Sequence, residues 1–265
     1  MIAVRSDQVV FRPAQSEAEL EEMLRLRYRV FKESDVSAFV MPNRHGIDVD
    51  AFDVNAHHVG LFRGDTPMGY ARLVTFARGP HAAWIESLRN RYPELAHSRT
   101  PVDSPLPIFE YAGNIDETRH WIMRHAADGR SVVEAGRLSL SSEEGPGRLV
   151  VFMGNALVSY WMSCGFDIAL MACRVSHSRY WESLGFQAAP GTCDAEYNGV
   201  AGRVLVMTKS TLKPKAQQVV SPLAREFDRS GRIVYPGGPF DRTHRCTGEA
   251  MKASDNLNIG LATAA

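Results

Sequence analysis

The sequence lacks net charge, long apolar runs and a leader-like segment. Its 265 residues include 30 Lys and Arg against 30 Asp and Glu, so its overall charge gives no sign of a nucleic-acid partner. No apolar run approaches the roughly 18 residues that a membrane-spanning helix needs. The first residues contain no apolar stretch of signal-peptide length. We therefore expect a cytoplasmic protein with no integral membrane segment.

Metal-binding patterns are also missing. Cysteine is scarce, and its four positions form no CxxC motif: Cys164, Cys173, Cys193 and Cys246. Several histidines lack acidic or cysteine neighbours at ligand spacing: His57, His58, His120 and His125. These patterns predict buried thiols in a reducing compartment and no metal site.

What the chain does contain is an alternation of strand and helix patterns. With 45% hydrophobic and 23% charged residues, it has the composition of an ordinary globular protein. The predicted strands are residues 9–12, 57–63, 68–76, 131–141, 166–173 and 203–209. The second and third of them form a hairpin around a four-residue turn at 64–67. The predicted helices are residues 16–33, 84–96, 117–127, 149–164 and 176–184. This order predicts an α/β (α+β) fold, a central mixed sheet with helices on both faces in a three-layer sandwich.

The positions of proline, glycine and capping residues suggest how the chain is organised. Ser16 and Glu19 have the spacing of a capping box. Residues 34–55 read as a loop with short helices at most, and residues 78–130 as an insertion or lid. We expect one domain over residues 1–212, followed by a tail over 213–265 with a short helix at 222–228 and partial disorder.

A set of charged residues recurs along the predicted strands and the first helix. Arg27 and Phe31 are one helical turn apart, and Asp50 and Asp53 precede the first hairpin strand. Arg72 lies in the second hairpin strand. Glu134 and Arg137 flank Gly136 at a spacing that puts them on opposite faces of a regular strand, unless a bulge at Gly136 intervenes. Taken singly, each residue fits a solvated charge.

Taken together, the set resembles a known family. Arg27-x-x-x-Phe31, Asp50-x-x-Asp53, Gly69-x-x-Arg72 and Glu134-x-x-Arg137 resemble the acyl-homoserine-lactone synthases, and equally the long-chain N-acyl amino acid synthases and exosortase-associated acyltransferases. These families share the GNAT-type fold, and the resemblance covers residues 9–210. Autoinducer synthases have a Trp near the position of Ser37, and their interval between the residues matching Arg72 and Glu134 is shorter. Both differences favour the N-acyl amino acid synthases and exosortase-associated acyltransferases, or a divergent branch, over the homoserine-lactone product.

The resemblance implies a role for each residue of the set. Glu134 would be the general base, with Asp50, Asp53 and Arg72 as the other catalytic residues. Arg27 and Phe31 would form a lid over the acceptor, and Arg137 would bind it. The expected acyl-donor contacts are Leu138, Ser139, Gly145, Gly147 and Arg148. Tyr180 is a candidate proton donor to the leaving thiolate, but the favoured interpretation is that the Tyr180-Trp181 pair packs the helix.

The resulting functional hypothesis is a fatty N-acyltransferase without a tightly bound cofactor. Acyl carrier protein or coenzyme A would carry the acyl group, and the acceptor amine would belong to S-adenosylmethionine or an amino acid. The alternatives are an acetyl-CoA-dependent N-acetyltransferase and a non-catalytic GNAT-like module that binds a lipid or partner. Acidic residues dominate positions 17–53 and basic residues positions 209–252. This asymmetry predicts an acidic acceptor side and a basic surface for an acidic carrier protein.

Overall fold

A nine-stranded mixed sheet forms the centre of the molecule in the computed structural model, which describes residues 8–97, 104–110, 115–141, 146–191, 195–197 and 200–236. The strands are β1 (Val9–Pro13), β2 (Ala56–Arg63), β3 (Thr66–Thr75), β4 (Val132–Leu140), β5 (Ile168–Arg174), β6 (Gln187–Ala188), β7 (Ala195–Tyr197), β8 (Val200–Thr208) and β9 (Ile233–Val234). The helices are α1 (Glu17–Lys32), α2 (Ala82–Arg91), α3 (Asp116–Ala127), α4 (Pro146–Ser163), α5 (Val175–Leu184) and α6 (Pro214–Ser230).

The strand order places one parallel pair in the middle of an otherwise antiparallel sheet. The order is β6-β8-β5-β4-β3-β2-β1-β9, and β7 also pairs with β8. Strands β4 and β5 run parallel from the pair Val132/Ile168 to the pair Ala135/Met171. Both strands continue beyond that point without pairing to each other. The sheet therefore opens between β4 and β5 at their carboxyl ends.

Helices cover both faces of the sheet, as the sequence predicts. On one face α4, α5 and α6 pack in a single apolar cluster with residues of β1 to β5 and β8. On the other face α1 and α2 pack on β2 and β3, and α3 packs on β4, β5 and β8. The expected three-layer α/β sandwich is confirmed.

Several local expectations are confirmed with changed bounds. Ser16 caps α1 by accepting a hydrogen bond from the Glu19 N–H at 3.2 Å, but Glu19 accepts from the Gln15 N–H at 2.8 Å. The reciprocal bond of the capping box is thus displaced by one residue. The turn between β2 and β3 is shorter than expected, because Thr66 and the following proline already belong to β3. Helix α2 ends at Arg91, shortly before a proline that disfavours helical backbone in the preceding residue.

The carboxyl-terminal helix differs most from expectation. The sequence predicts only a short helix over residues 222–228 in a partly disordered tail. In the structure the helix begins at Pro214, and Pro222 lies inside α6. Ser159 and Ser163 of α4 donate hydrogen bonds to carbonyls of α6, so α6 is packed into the sandwich. Strand 203–209 is not the last strand either, since β9 pairs with β1.

None of the helices in the described parts of the chain combines the length and the apolarity required to cross a bilayer. The described part of segment 78–130 also packs against the sheet and is not a separate lid. Leu106, Ile108 and Phe109 are buried in the same cluster as β-sheet residues.

Two adjacent valines on α6 provide a test of its packing. Val220 is 0% exposed, whereas Val219 is 44% exposed. We expect Val220→Asp to lower the free energy of unfolding by about 3 kcal/mol or more, since it buries an unpaired charge. Val219→Asp should change it by less than about 1 kcal/mol. Chemical denaturation measures both, and equal effects would mean that α6 is not docked on α4.

Candidate active site

A cavity of about 180 Å³ lies where β4 and β5 separate. One part of its wall is polar and is formed by Asp50, Arg72, Glu134 and Arg137. The other part is apolar or aromatic and includes Phe31, Phe39, Phe52, Leu138, Leu157, Met171 and Trp181. The cavity thus joins charged groups to a hydrophobic surface at a break in the sheet.

A buried ion pair lies behind the polar wall. Arg27 of α1 is 0% exposed and donates two parallel hydrogen bonds to Asp53, Nη1 to Oδ1 and Nη2 to Oδ2, both at 2.9 Å. Its Nε lies 2.7 Å from Asp48 Oδ2. Such bidentate pairing fixes the orientation of both side chains.

Two further arginines extend this network to the cavity. Arg72 Nη1 of β3 donates to Asp50 Oδ1 and Asp53 Oδ1, each at 2.6 Å. Arg137 of β4 donates to Asp50 Oδ2 at 3.2 Å and to the Phe39 carbonyl at 3.0 Å. Three arginines therefore alternate with three aspartates from the interior to the wall.

The network holds its charges at neutral pH. Burial would raise the pKa of Asp53, but Arg27 and Arg72 outweigh it and hold that pKa well below its usual range. The pKa of Asp50 is likewise lowered, against the effect of burial, chiefly by Arg72. For Arg72 the opposing effect of burial is overcome by Asp50 and Asp53, which raise its pKa above the ordinary value.

A buried His–Tyr pair supports the network from the sheet side. Tyr70 Oη accepts a hydrogen bond from Arg27 Nη1 at 2.9 Å and lies 2.8 Å from His58 Nδ1. His58 Nε2 lies 2.9 Å from the Asp53 carbonyl, which can only accept. His58 therefore carries its proton on Nε2, and Nδ1 accepts the Tyr70 hydroxyl. Burial lowers the pKa of His58 to about 3, so the ring is neutral.

A bulge in β4 brings Arg137 to the network. Tyr70 pairs with Ser139 and Arg72 with Gly136, so Ala71 faces two residues of β4. The expected bulge exists, but its left-handed residue is Arg137, with φ 57°, and not Gly136. In a regular strand Arg137 would point to the α4 face. The bulge turns it towards the face that carries Arg72 and Glu134.

Glu134 is the cavity carboxyl that the arginines do not neutralise. Its Oε2 accepts a hydrogen bond from the Ile108 N–H at 2.8 Å. Burial raises its pKa to about 8, although the Ile108 bond and the charge of Arg72 oppose the rise. At pH 7 most molecules therefore hold a proton on Glu134. A perturbed carboxyl in a cavity is a common mark of acid–base function.

The structure brings together most of the site residues expected from the sequence. Those in the network or in the cavity wall are Arg27, Phe31, Asp50, Asp53, Arg72, Glu134, Arg137 and Leu138. Ser139 is buried beside the bulge and its hydroxyl donates to the Arg137 carbonyl at 3.1 Å. Gly147 and Arg148 are exposed in the first turn of α4 and do not line this cavity. Gly145 lies outside the described residues.

Two expectations need correction. Arg27 cannot be part of a lid, because it is entirely buried and paired with Asp53; Phe31 does line the cavity. For Tyr180 the favoured interpretation, packing against Trp181, agrees with the structure: the ring centres are 4.9 Å apart and the hydroxyl donates to the Val151 carbonyl at 3.1 Å. The acidic acceptor side is also absent from the described site, because its three aspartates are neutralised by arginines.

Three groups that belong to the site were not predicted from the sequence. Tyr70 lies two residues before Arg72, so strand alternation puts both side chains on one face. This spacing could have identified Tyr70 as a neighbour of the charged network. Asp48 precedes Asp50 by the same interval in a loop, where no periodicity applies. The Ile108 N–H comes from a distant segment and leaves no local signal.

Metal-binding residues were sought across the same parts of the chain. The described residues contain no group of three or more His, Cys, Asp or Glu side chains that could hold a metal ion. Cys164 and Cys173 are free and partly buried, while the other two cysteines lie outside the described residues.

Arg137 offers a test of the bulge. We expect Arg137→Gly to be more stable than Arg137→Ala by about 1–2 kcal/mol in free energy of unfolding. Both variants lose the guanidinium equally, but only glycine adopts a positive φ without strain. In a regular strand the order would be reversed, so thermal or chemical unfolding of the two proteins decides whether position 137 is left-handed.

Asp53 tests the buried ion pair. Asp53→Asn keeps the shape but leaves Arg27 and Arg72 undercompensated, so we expect a loss of about 3–5 kcal/mol in unfolding free energy. Asp35→Asn is the matched control, because Asp35 is 71% exposed where it pairs with Arg174. Its effect should stay below about 1 kcal/mol. A small effect of Asp53→Asn would contradict a structural role for the network.

The raised pKa of Glu134 predicts a pH-dependent stability. Between its usual value of 4.5 and about 8, the folded protein holds a proton on Glu134 and the unfolded chain does not. Stability therefore falls as pH rises through this window. Glu134→Gln removes that dependence, so the stability of the variant relative to the native protein should rise by roughly 1.4 kcal/mol per pH unit there. A constant difference between pH 5 and 8 would contradict the raised pKa.

Comparisons with known proteins agree on the fold. The sequence matches no protein-family model, and no curated protein sequence is significantly similar to it. A structure of BjaI, a CoA-dependent acyl-homoserine lactone synthase, with MTA has a TM-score of 0.51 at 15% identity and covers 82% of this chain and 90% of its own. A second BjaI structure, with SAM and isopentyl-CoA, gives the same values.

A third similar structure is FeeM, an N-acyl amino acid synthase from uncultured soil microbes. Its TM-score is 0.49 at 13% identity, and the match covers 79% of this chain and 97% of FeeM. BjaI is named as a member of one of the groups that the sequence motifs resemble. At these identities the likeness concerns the fold, and this chain has the mixed α/β fold of the acyl-homoserine lactone synthase BjaI.

Proposed function

We propose that the protein is an N-acyltransferase that moves a fatty acyl group from a thioester to the amine of a small acceptor. One observation carries the proposal: the carboxyl of Glu134, the guanidinium groups of Arg72 and Arg137, and an apolar wall meet in one cavity at the separation of β4 and β5. A thioester aminolysis needs a base for the amine, a polar environment for the carbonyl oxygen and an apolar space for the chain.

The chemical step follows from these groups. Glu134, in its ionised form, takes a proton from the acceptor's ammonium group, directly or through water. The free amine attacks the thioester carbonyl carbon, so a C–N bond forms and the C–S bond breaks. The proton that the nitrogen then loses goes to the departing thiolate. The raised pKa of Glu134, about 8, makes it a stronger base than an ordinary carboxylate.

The apolar wall suits the hydrocarbon chain of the donor. Leu138, Leu157, Met171 and Trp181 line the cavity on the side of α4 and α5. Each methylene buried there contributes about 0.8 kcal/mol to binding. Ser139, Gly147 and Arg148, near the bulge and the start of α4, remain our candidates for contacts with the carrier of the thioester.

Two kinds of donor and acceptor are compatible with this chemistry. The donor would be acyl-CoA or acyl carrier protein, and the acceptor S-adenosylmethionine or an amino acid. BjaI, which shares the fold, binds SAM and isopentyl-CoA in its solved complex. The carboxyl-terminal basic residues remain the candidate surface for an acidic carrier protein.

The test is direct detection of the product. The purified protein is incubated with CoA and carrier-protein thioesters of short, medium and long acyl chains, together with S-adenosylmethionine or mixed amino acids, and the products are identified by mass spectrometry. We expect an acylated amine and a free thiol in equal amounts. If no thioester is consumed in any mixture, the proposal is wrong and a non-catalytic binding module becomes the better reading.

Glu134→Gln separates catalysis from binding. We expect this variant to keep its fold and to lose about 10²–10⁴-fold in kcat. The kcat/KM of the native protein should rise with pH, reach half of its maximum near pH 8 and level off above that pH, because only ionised Glu134 accepts the proton. Glu86→Gln, at an exposed ion pair with Arg78, is the matched control. If Glu134→Gln keeps the activity of the native protein, Glu134 is not the general base.

A further inference from the structure

We infer that residues 104–110 position the general base: the Ile108 N–H holds one carboxylate oxygen of Glu134. Arg119 of α3 keeps the turn that carries this N–H in place. The segment lies in the long interval between β3 and β4, outside the strands that carry the charged network. The inference rests on the proposed function, because it concerns how the base works in the same cavity.

Apolar side chains fix the segment against the sheet. Leu106, Ile108 and Phe109 are buried in one cluster with residues of β3, β4, β5 and β8. Pro107, between them, lines the cavity itself. The Ile108 N–H therefore has a fixed place beside the cavity, 2.8 Å from Oε2 of Glu134.

Arg119 ties the segment to α3. Its Nη2 donates to the Phe109 carbonyl at 2.9 Å, and its guanidinium carbon lies 5.2 Å from the centre of the Phe109 ring. The Phe109 N–H donates to the Leu106 carbonyl at 3.1 Å within the 3₁₀ turn Pro107–Glu110. Arg119 itself is exposed and does not line the cavity. It therefore acts on the base through the segment.

The Ile108 bond decides which oxygen of Glu134 faces the acceptor. Oε2 is occupied by the N–H, and Oε1 accepts no hydrogen bond from any residue that the structure describes. Because the side chain lines the cavity, Oε1 is the oxygen left to take the proton of the acceptor's ammonium. A base must lie within hydrogen-bond reach of the proton that it removes, so a carboxylate held at one oxygen favours the transfer.

The same bond acts on the ionisation of the base. An N–H donor binds a carboxylate more strongly than a neutral carboxyl, so it favours the ionised form. Burial raises the pKa of Glu134 to about 8, and the Ile108 N–H is the largest of the effects that oppose this rise. Without the donor, a smaller fraction of Glu134 is ionised at neutral pH.

Other groups also act on Glu134. The charge of Arg72 lowers its pKa, whereas Asp50 and Glu110 raise it. The remaining titratable side chains of the cavity wall come from β4, β5 and α5: Arg137, Cys173, Arg174 and His177. A change confined to the backbone at position 108 leaves all these side chains in place, so its effect on the titration can be assigned to the N–H.

The first experiment replaces the Ile108 N–H by an oxygen atom. Suppression of a stop codon with the α-hydroxy acid analogue of isoleucine converts this peptide bond to an ester and keeps the side chain. We expect kcat/KM at pH 7 to fall about tenfold and the loss to shrink towards pH 9, because the half-maximum moves up by about one pH unit.

Ile85 provides the matched control for the ester. It is also a buried isoleucine, and its N–H donates to the His81 carbonyl at 3.1 Å, away from the cavity. The same substitution there removes one buried backbone hydrogen bond and should leave the pH profile in place. An unmoved profile in the Ile108 ester, or an equal displacement in the Ile85 ester, would overturn the inference.

The second experiment addresses Arg119. We expect Arg119→Ala to lower kcat/KM about threefold at pH 7 and less at pH 9, because a weakened Ile108 bond moves the half-maximum up by about half a pH unit. Arg119→Lys should restore most of the loss, since its ammonium can donate to the Phe109 carbonyl. Arg124→Ala, an exposed position on the same helix, is the control and should have no effect. A loss that is equal at every pH would mean that Arg119 does not act on the base.

Titration of Glu134 without substrate separates the inference from the proposed function. The unfolding free energy of each protein is measured against pH, relative to the same protein with Glu134→Gln. An upward shift of this titration in the Ile108 ester, together with a shifted rate profile, supports both. A shifted titration with an unmoved rate profile overturns the positioning role but not the acyltransferase. If the native protein consumes no thioester, the proposed function is wrong and the inference falls with it.

Discussion

Arg27 and Asp53 form two parallel hydrogen bonds with both side chains withdrawn from water, and the rest of the site is built on this pair. Burying two charges is unfavourable unless the remaining donors and acceptors are satisfied. Here Tyr70, Asp48 and Arg72 supply the additional partners. Because each arginine contacts an aspartate that contacts the next arginine, displacement of one side chain leaves several charges unpaired. The arrangement therefore has one low-energy geometry, which it imposes on the cavity wall.

The sheet supplies the second constraint, since it decides which side chains can reach that network. Alternation along β3 places Tyr70 and Arg72 on the same face, and pairing with β4 adds Glu134. Arg137 reaches this face only through the bulge. The left-handed backbone at Arg137 is unfavourable for a residue with a Cβ, so its strain must be offset by the bonds that the guanidinium makes to Asp50 and Phe39. Backbone strain is in this way tied to the position of a charge in the cavity.

Periodicity made the elements of the sandwich predictable. Arg27, Asp53 and Arg72 could be singled out only because the whole set of motifs resembles a known family, since each residue taken alone fits a solvated charge. The burial of Arg27 could not be predicted, since a charged residue one turn from Phe31 reads equally well as a solvated side chain. The bond from Ile108 to Glu134 joins residues far apart in the chain, and local patterns carry no information about such pairs. The same reason explains why α6 was underestimated: its stability comes from packing on α4, despite the interior Pro222.

The pairing of β9 with β1 has a consequence for how the protein matures. Ile233 and Val234 pair with Phe11 and Val10, and the Tyr235 N–H donates to the Val9 carbonyl at 2.8 Å. These partners are separated by nearly the whole described chain, so their contact carries a large loop-closure entropy and forms late. During synthesis the first strand has its sheet neighbour β2 on one side only, and its other side stays open until residues 233–235 leave the ribosome. The nascent chain therefore exposes an edge for intermolecular strand pairing until β9 has been made, and the pairing of β9 with β1 closes it.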